Sequence, residues 1–452
     1  MAYQLKNKTK RSPVGSVRTT RDLLEERRSQ GSKVGMINLG CARNLVDSQA
    51  ILGRLKKNGH RLVDIKDCDV AIVNTCSFVE DARQESIDVI LELIELKKKG
   101  KIRKVIVAGC LAQRYGQELA EEFKQVDAFV GTPTLEKNRV PEQVSLTPEH
   151  YAYVKICESC YNKCSFCAIP NIKGKFSSKT IETVLSEVRA LDQKGVKEIH
   201  IIGQDITAYG MDVYRKKSLA RLLKEICAAT TNVQWVRLLY AFPAHVDDEL
   251  IDVMASEPKV CRYIDLPLQH VADPILRSMN RGITQAGTLE LIKKLRTKIP
   301  GGSLRTTFIV GFPGETEDDF QQLLEFVRAT RFERAGVFVY SREEGTPAYD
   351  YPDQVPESVK KDRLDALMQE QQSIAREIQG RFLGRRLKVL IDEKQNGTKG
   401  VYLGRTEFDA PEVDGLVYVN SRKALKSGDF VDVDITDSYE YDLTGEAVAP
   451  AV

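Results

Sequence analysis

From Lys33 onward, short apolar runs alternate with longer amphipathic ones. KVGMINLG, DVAIVNT and KVIVAG are rich in Val, Ile and small residues, the pattern of strands buried on both faces. Between them, NLVDSQAILGRLKKNG and ESIDVILELIELKKKG carry apolar residues at helical spacing and close on Gly59 and Gly100. Strand followed by helix, three times over, predicts a parallel sheet covered on both sides. GTPTLEKNRVPEQVSLTPEH then reads as a linker.

The alternation resumes beyond it. TIETVLSEVRALDQKG places Val184, Leu185, Val188 and Leu191 on one helical face. EIHIIGQ, QWVRLLYA, YIDLPLQ, LRTTFIVGF and RAGVFVYS read as strands, most of them separated by helical stretches. Repeated βα units over roughly 200 residues predict a full or partial barrel. The polar helix SVKKDRLDALMQEQQSIAREIQG closes it. After about residue 380 the texture changes: RLKVLIDE, GVYLGRT, GLVYVN and DFVDVDIT are short strands with turns between them, which predicts a small all-β barrel. The expected class is α/β multidomain. Its units are a basic disordered tail (1–31), a parallel α/β sheet (32–147), a partial (β/α) barrel (148–378) and an all-β barrel (379–450).

Composition narrows the setting. The chain has 452 residues, 42% hydrophobic, enough for several cores. Its net charge of +3 shows no overall bias toward nucleic acid. No apolar run approaches the roughly 20 residues of a membrane span, and no apolar signal segment opens the chain. In the basic tail, Asp22, Glu25 and Glu26 argue against an organelle transit peptide. A cytoplasmic, reducing compartment is therefore expected, where ten cysteines bind metal or react rather than pair.

CESCYNKCSFC, residues 157–167, sets Cys157, Cys160, Cys164 and Cys167 at the spacing C-x2-C-x3-C-x2-C. Zinc ribbons separate their CxxC pairs by about 15–20 residues. Bacterial ferredoxin runs read C-x2-C-x2-C-x3-C-P, which this stretch misses. Lys155, Glu158, Asn162 and Lys163 make the surroundings too polar for plain core packing. Cys41, Cys76 and Cys110 each follow one of the first three strands, just ahead of a helix. Strand ends of this kind line the crevice of an open α/β sheet, so the three thiols should converge into a second cluster site. Cys68, Cys227 and Cys261 show no such registration and read as structural.

Cys160, Cys164 and Cys167, with the flanking YVKI and CSFCAIP, resemble the radical S-adenosylmethionine (SAM) superfamily. The resemblance implies three thiolates on a [4Fe–4S] cluster whose open iron chelates the amino and carboxylate groups of SAM. An electron from that cluster cleaves SAM to methionine and a 5′-deoxyadenosyl radical. Cys157 departs from the pattern, as does Ser159 where relatives often carry Gly; its thiol is expected to point away along the strand. Adding NLGCARNLVDSQ, VNTCSFV, AGCLAQRY, YIDLPLQH, GFPGETEDDF and YSREEGTPA, the chain resembles the methylthiotransferase family from about Ser32 to Glu446. That family's order is methylthiotransferase domain, radical SAM core, TRAM barrel. It implies that Cys41, Cys76 and Cys110 hold an auxiliary [4Fe–4S] cluster that supplies or carries sulfur. It also implies two SAM per turnover, one for the radical and one for the methyl group.

The resemblance places Phe166, Gly203, Gln204, Asp205, Arg305 and Gly311 at SAM. Asp205 would accept from its amino group and Arg305 would meet its carboxylate, unless Arg305 is a solvated surface residue. Gly311 would let backbone approach the ligand. His270 ends a strand and is a candidate to face the crevice, and His245 reads as a loop residue; neither is given a catalytic role. Thr316 and Asp319 read as a capping box opening the next helix.

Relatives modify either an adenosine of transfer RNA or an aspartate of small-subunit ribosomal protein twelve. Between Gly400 and Glu446 there are four Arg or Lys and eleven Asp or Glu, a poor surface for RNA and a good one for a basic protein. Asp409, Glu412 and Asp414 are the candidate substrate contacts. FDAPEVDGLVYV and NLGCARNLVDSQ resemble the protein-modifying branch, although Ala42-Arg43 replaces the commoner Pro-Lys. The expected partners are the basic ribosomal protein, free or in the subunit, and a low-potential electron donor, with no membrane and RNA contact only indirect. The alternatives are a transfer-RNA methylthiotransferase and a non-catalytic iron–sulfur module that binds ribosomes or senses redox state.

Overall fold

In the computed structural model the described residues are 31–448. The basic tail falls almost wholly outside them, as do residues 449 and 450. The first sheet is built from β1 (Lys33–Asn38), β2 (Arg61–Leu62), β3 (Val70–Thr75), β4 (Lys104–Gly109) and β5 (Ala128–Val130), in the order β2-β1-β3-β4-β5. Every pairing is parallel. Helices α1 (Ala42–Lys57), α2 (Glu80–Lys98) and α3 (Cys110–Glu122) connect them. β3 is buried along its whole length because helices cover both faces. Val73, Val105 and Val107 pack into one core, and Val34, Ile72 and Ile106 into the other. β2 and β5 are too short to show as hydrophobic runs.

The second sheet is parallel and open, with the order β13-β12-β11-β10-β9-β6. Its strands are β6 (Tyr151–Lys155), β9 (Glu198–Ile202), β10 (Trp235–Leu238), β11 (Val260–Asp265), β12 (Ser303–Val310) and β13 (Arg334–Val339). A short hairpin-like pair, β7 (Cys157–Glu158) and β8 (Ser177–Ser178), stands apart from it. β11 ends at Asp265, so LPLQ is not strand; Gln269 makes only an isolated bridge to Phe308. The helices are α4 (Ile169–Lys173), α5 (Ile181–Gln193), α6 (Leu219–Ala229), α7 (Asp248–Ser256), α8 (Asp273–Ser278), α9 (Gln285–Lys298), α10 (Glu317–Thr330) and α11 (Glu357–Gly380). Thr316 and Asp319 form the expected capping box at α10. Val154, Ile199, Ile201 and Val236 face the helices. The opposite face carries Tyr151, Tyr153, Trp235 and Tyr263, packed against Val46 of α1 and Leu390 and Ala410 of the C-terminal barrel.

That barrel closes in the order β14-β15-β16-β18-β17 from β14 (Arg386–Lys394), β15 (Val401–Thr406), β16 (Val417–Asn420), β17 (Phe430–Ser438) and β18 (Leu443–Ala447). β18 escaped the sequence reading because Thr444, Gly445 and Glu446 interrupt its apolar pattern. The segment after β15 enters the open face of the larger sheet. Arg405 reaches Glu198 at 2.8 Å, Arg237 donates to the Glu407 carbonyl at 2.7 Å, and Arg334 pairs with Asp409 at 2.5 Å. Arg305 lies 2.9 Å from Asp265 and 3.4 Å from Asp414.

These contacts correct two expectations. Asp409 and Asp414 are not open substrate contacts: their side chains are 5% and 2% exposed and neutralise arginines of the sheet. Arg305 is neither a surface residue nor open to a carboxylate ligand, because Asp265 and Asp414 already occupy it. Of the three acidic candidates only Glu412 is exposed, on a left-handed backbone (φ 68°).

Candidate active site

The ends of β1, β3 and β4 are in register: Asn38 lies beside Asn74, and Thr75 beside Gly109. Cys41, Cys76 and Cys110 follow these ends directly and therefore gather at one edge of the sheet. Close packing there requires glycine. A Cβ at Gly40 (φ 90°) would sit 3.0 Å from the Cβ of Cys76, and one at Gly109 (φ 96°) would sit 2.2 Å from Asn74 Oδ1. Ser86 of α2 donates to the Cys76 carbonyl and accepts from its amide. Asn44 ties Leu39 to Thr75, and its Oδ1 lies 3.7 Å from the Cys110 thiol. Arg43 Nε donates to Cys41 Sγ at 3.4 Å.

The thiols differ electrostatically. Burial pushes Cys110 up to about 12 and also raises Cys76, with the charge of Cys41 adding to both. Burial acts against Cys41 too, but Arg43 and the amides of Asn44 and Arg43 outweigh it and hold this thiol below its ordinary value.

Cys160, Cys164 and Cys167 lie in the loop between β7 and α4. Burial raises Cys160 to about 11 and Cys167 to about 12, with Asp205 adding to the first. Asn162 points both its amide N–H (3.4 Å) and its side-chain Nδ2 (3.5 Å) at Cys160 Sγ. Arg281 Nη1 lies 3.3 Å from Cys164 Sγ, with its guanidinium 4.1 Å above the Phe242 ring. Cys157 takes no part. Its buried Sγ packs beneath Gly203, where a Cβ would stand 2.4 Å away, and donates to the Asp205 carbonyl at 3.5 Å.

Other expected SAM contacts move. Asp205 is 1% exposed and both its oxygens are occupied. Oδ1 caps the turn at Thr207 and Ala208, while Oδ2 accepts from Asn162 at 2.8 Å and pairs with His245 at 2.8 Å. It braces the cysteine loop instead of facing a ligand. Gly311 (φ 71°) meets the Lys360 side chain of α11, so its missing Cβ serves packing. His270 is fully buried, accepts from the Ala272 amide, and is held neutral by burial, with its pKa lowered to about 4.

What remains is a cleft of about 220 Å³. Arg43 and Phe78 of the first domain face Cys160, Cys164, Cys167 and Phe166 across it, and Gln204, Tyr240, Phe242, Gln269 and Arg281 are among the other lining residues. Tyr240 (φ 69°) and Gln269 (φ 72°) hold left-handed backbones, costly for non-glycine residues and typical of ligand sites. Phe166 and Gln204, both proposed SAM contacts, line this cleft. Arg43, Arg281, Tyr240 and Gln269 were missed. Arg43 carried a signal in its position two residues after Cys41, and Gln269 in the YIDLPLQH motif; Arg281 lies 117 residues from Cys164.

Two polar clusters fix the domains on either side. Asp47 of α1 meets Lys155 and Lys173, both of which also pair with Glu158, all four side chains 8% exposed or less. Glu343 receives Arg83 and Arg114 from α2 and α3.

Three family models match in succession: Uncharacterized protein family UPF0004 over residues 33–131, the Radical SAM superfamily over 154–327 and the TRAM domain over 383–448. The ribosomal protein uS12 methylthiotransferase RimO of Geobacter sulfurreducens is 46% identical over 443 residues, covering 92% of this chain and 99% of its own. The chain belongs to the RimO family. RimO of Clostridioides difficile is 43% identical over 441 residues, with 92% and 99% covered. The radical SAM methyltransferase TsrM of Kitasatospora setae shares the fold, at a TM-score of 0.54 and 13% identity, over 76% of this chain and 89% of that one.

The donor chemistry of both triads fits iron–sulfur ligation. Each triad offers free thiols, with nitrogen donors from Asn162, Arg281 and Arg43 aimed at the sulfurs, the outer hydrogen bonds that tune cluster thiolates. Among the described residues, no three His, Cys, Asp or Glu close around a point as they would for one metal ion.

Proposed function

We propose that this chain methylthiolates the β-carbon of an aspartate in ribosomal protein uS12, using two [4Fe–4S] clusters and two SAM per turnover. The observation that carries the reading is the cleft itself: one cysteine triad lines it, and the domain of the other triad forms its opposite wall. The names of the relatives support uS12 as substrate.

In this reading Cys160, Cys164 and Cys167 hold the cluster that binds SAM, and Cys41, Cys76 and Cys110 hold the second. When bound, the cluster and SAM supply a radical able to take hydrogen from an unactivated C–H bond, chemistry that belongs to the cofactor. The chain's own residues place and shield it. Phe166 and Phe242 keep the lining apolar and limit water. Gln204 and Gln269 offer amide groups to a polar ligand. Asn162 and Arg281 offset charge on the cysteine sulfurs. The exposed acids of the barrel, among them Glu412, Asp432 and Asp437, suit a basic protein. The compartment is cytoplasmic, and a low-potential donor supplies the electron; no helix of the described residues is long and apolar enough to cross a membrane.

The test is intact-mass spectrometry of uS12 after anaerobic incubation with reconstituted enzyme, SAM, sulfide and reductant. A gain of about 46 Da on one aspartate is expected. SAM cleavage without that gain would redirect the reading to transfer RNA. No SAM cleavage by protein carrying both clusters would leave a non-catalytic iron–sulfur module.

A further inference from the structure

Among the described residues, Arg43 is the only charged side chain lining the cleft from the first domain's side. It makes three contacts at once. Nε donates to Cys41 Sγ at 3.4 Å, Nη1 donates to the Gly203 carbonyl at 3.1 Å, and the guanidinium lies 4.3 Å above the Tyr240 ring. Cys41 belongs to one triad's domain; Gly203 and Tyr240 follow strands β9 and β10 of the other. A planar fork can make such divergent contacts, while a lysine ammonium is a single point.

We propose that Arg43 is a positioning residue that ties the auxiliary cluster to the radical SAM site and sets that cluster's reduction potential. The inference rests on the two-cluster reading above. A cationic N–H donor on a cluster thiolate stabilises the more negative, reduced form and so raises the potential. Partial burial strengthens this by limiting the water that screens the charge. The Gly203 and Tyr240 contacts fix where the guanidinium stands. The same residue therefore holds the sulfur-bearing site in register with the strand ends that line the SAM cleft. Nearby Glu158 offsets some of the positive charge, while Lys155 and Lys173 engage Asp47 and Glu158 and leave Arg43 free to serve Cys41.

The experiment uses full-length enzyme with both clusters, compared as parent, Arg43→Met and Arg43→Lys. Iron content is measured first, then the midpoint potential of each cluster by EPR-monitored titration; SAM addition marks the cluster it binds by changing that signal alone. Arg43→Met should shift the auxiliary midpoint to a more negative value and leave the SAM-responsive one in place. Methylthiolated product should fall by about tenfold to a hundredfold. Arg43→Lys should recover part of the shift. Loss of auxiliary iron from Arg43→Met but not from Arg43→Lys also supports the proposal, because charge then holds the site. An unchanged auxiliary midpoint in fully loaded Arg43→Met overturns it, as does equal iron loss in both variants, which marks a packing role. A parent holding about four irons instead of about eight would instead remove the two-cluster reading.

Discussion

Lys173 Nζ and Asp47 Oδ2 lie 3.0 Å apart across the boundary between the first two domains, with side chains only 2% and 4% exposed. Lys155 and Glu158 complete a square of two bases and two acids. Removing one member leaves a buried charge without its partner, at a cost of about 3–5 kcal/mol. Asp47→Asn should therefore loosen the interface. Limited proteolysis of the 131–150 linker should speed up by roughly a hundredfold to a few thousandfold where opening precedes cleavage. Asp47→Asn combined with Lys173→Met should recover part of the loss, because the stranded cation is gone. Cleavage rates equal to the parent's would show that the square contributes nothing.

The elements were legible where their pattern was long. Val70–Thr75 declared itself as an apolar run, Ser303–Val310 as a β-rich stretch ending in FIV, and Thr316 with Asp319 as a cap. The two cysteine triads stood out as candidates, Cys160, Cys164 and Cys167 by their spacing and Cys41, Cys76 and Cys110 by their place at strand ends. Contacts that depend on side-chain direction were not. Asp205 looked like an acceptor for ligand until its oxygens were found serving Asn162 and His245. Asp409 looked like surface because a carboxylate without its distant Arg334 in view always does. Arg281 had no local pattern at all; the fold alone carries it to Cys164.

Acid should undock the C-terminal barrel. Burial pushes Glu198 up, but Arg405, His200 and Arg237 outweigh it and hold its carboxyl well below the usual range. Asp392 is likewise held down by His150 and Arg405 against its burial. A depressed carboxylate contributes stability that is fully present above its unfolded value, about 4, and is lost as pH falls toward the folded one. The chain's single tryptophan, Trp235, packs edge-on against Phe430 of the barrel at 4.8 Å and reports the contact. Its emission should stay native from about pH 8 to 5 and shift to the red below that. Glu198→Gln strands Arg237 and Arg405 and should shift emission already at neutral pH. Emission indifferent to acid would sink this account of docking.

Cys157 should be dispensable for iron. Its thiol faces Gly203 and the core, not the loop that holds the other three. Cys157→Ala should keep the iron content of the parent and cost about 1 kcal/mol in stability. Cys160→Ala should lose about four irons per chain. Iron loss from Cys157→Ala in a folded protein would make it a fourth ligand.

Asp205 braces the loop of Cys160, Cys164 and Cys167 through Asn162, which in turn approaches Cys160 Sγ. In Asp205→Asn the amide at the Oδ2 position no longer accepts from Asn162, while the Oδ1 cap on Thr207 survives. The turn should hold, the iron should stay, and release of 5′-deoxyadenosine should fall by about tenfold to a hundredfold. Asn162→Ala should do the same, and the double variant should lose little more, because both act through one contact. A residue touching SAM directly would behave otherwise. Its loss would weaken SAM binding at saturating iron and add to Asn162→Ala instead of merging with it. Measuring the SAM dissociation constant beside the cleavage rate therefore separates a brace from a ligand, and a change confined to binding would return Asp205 to the ligand's side of the cleft.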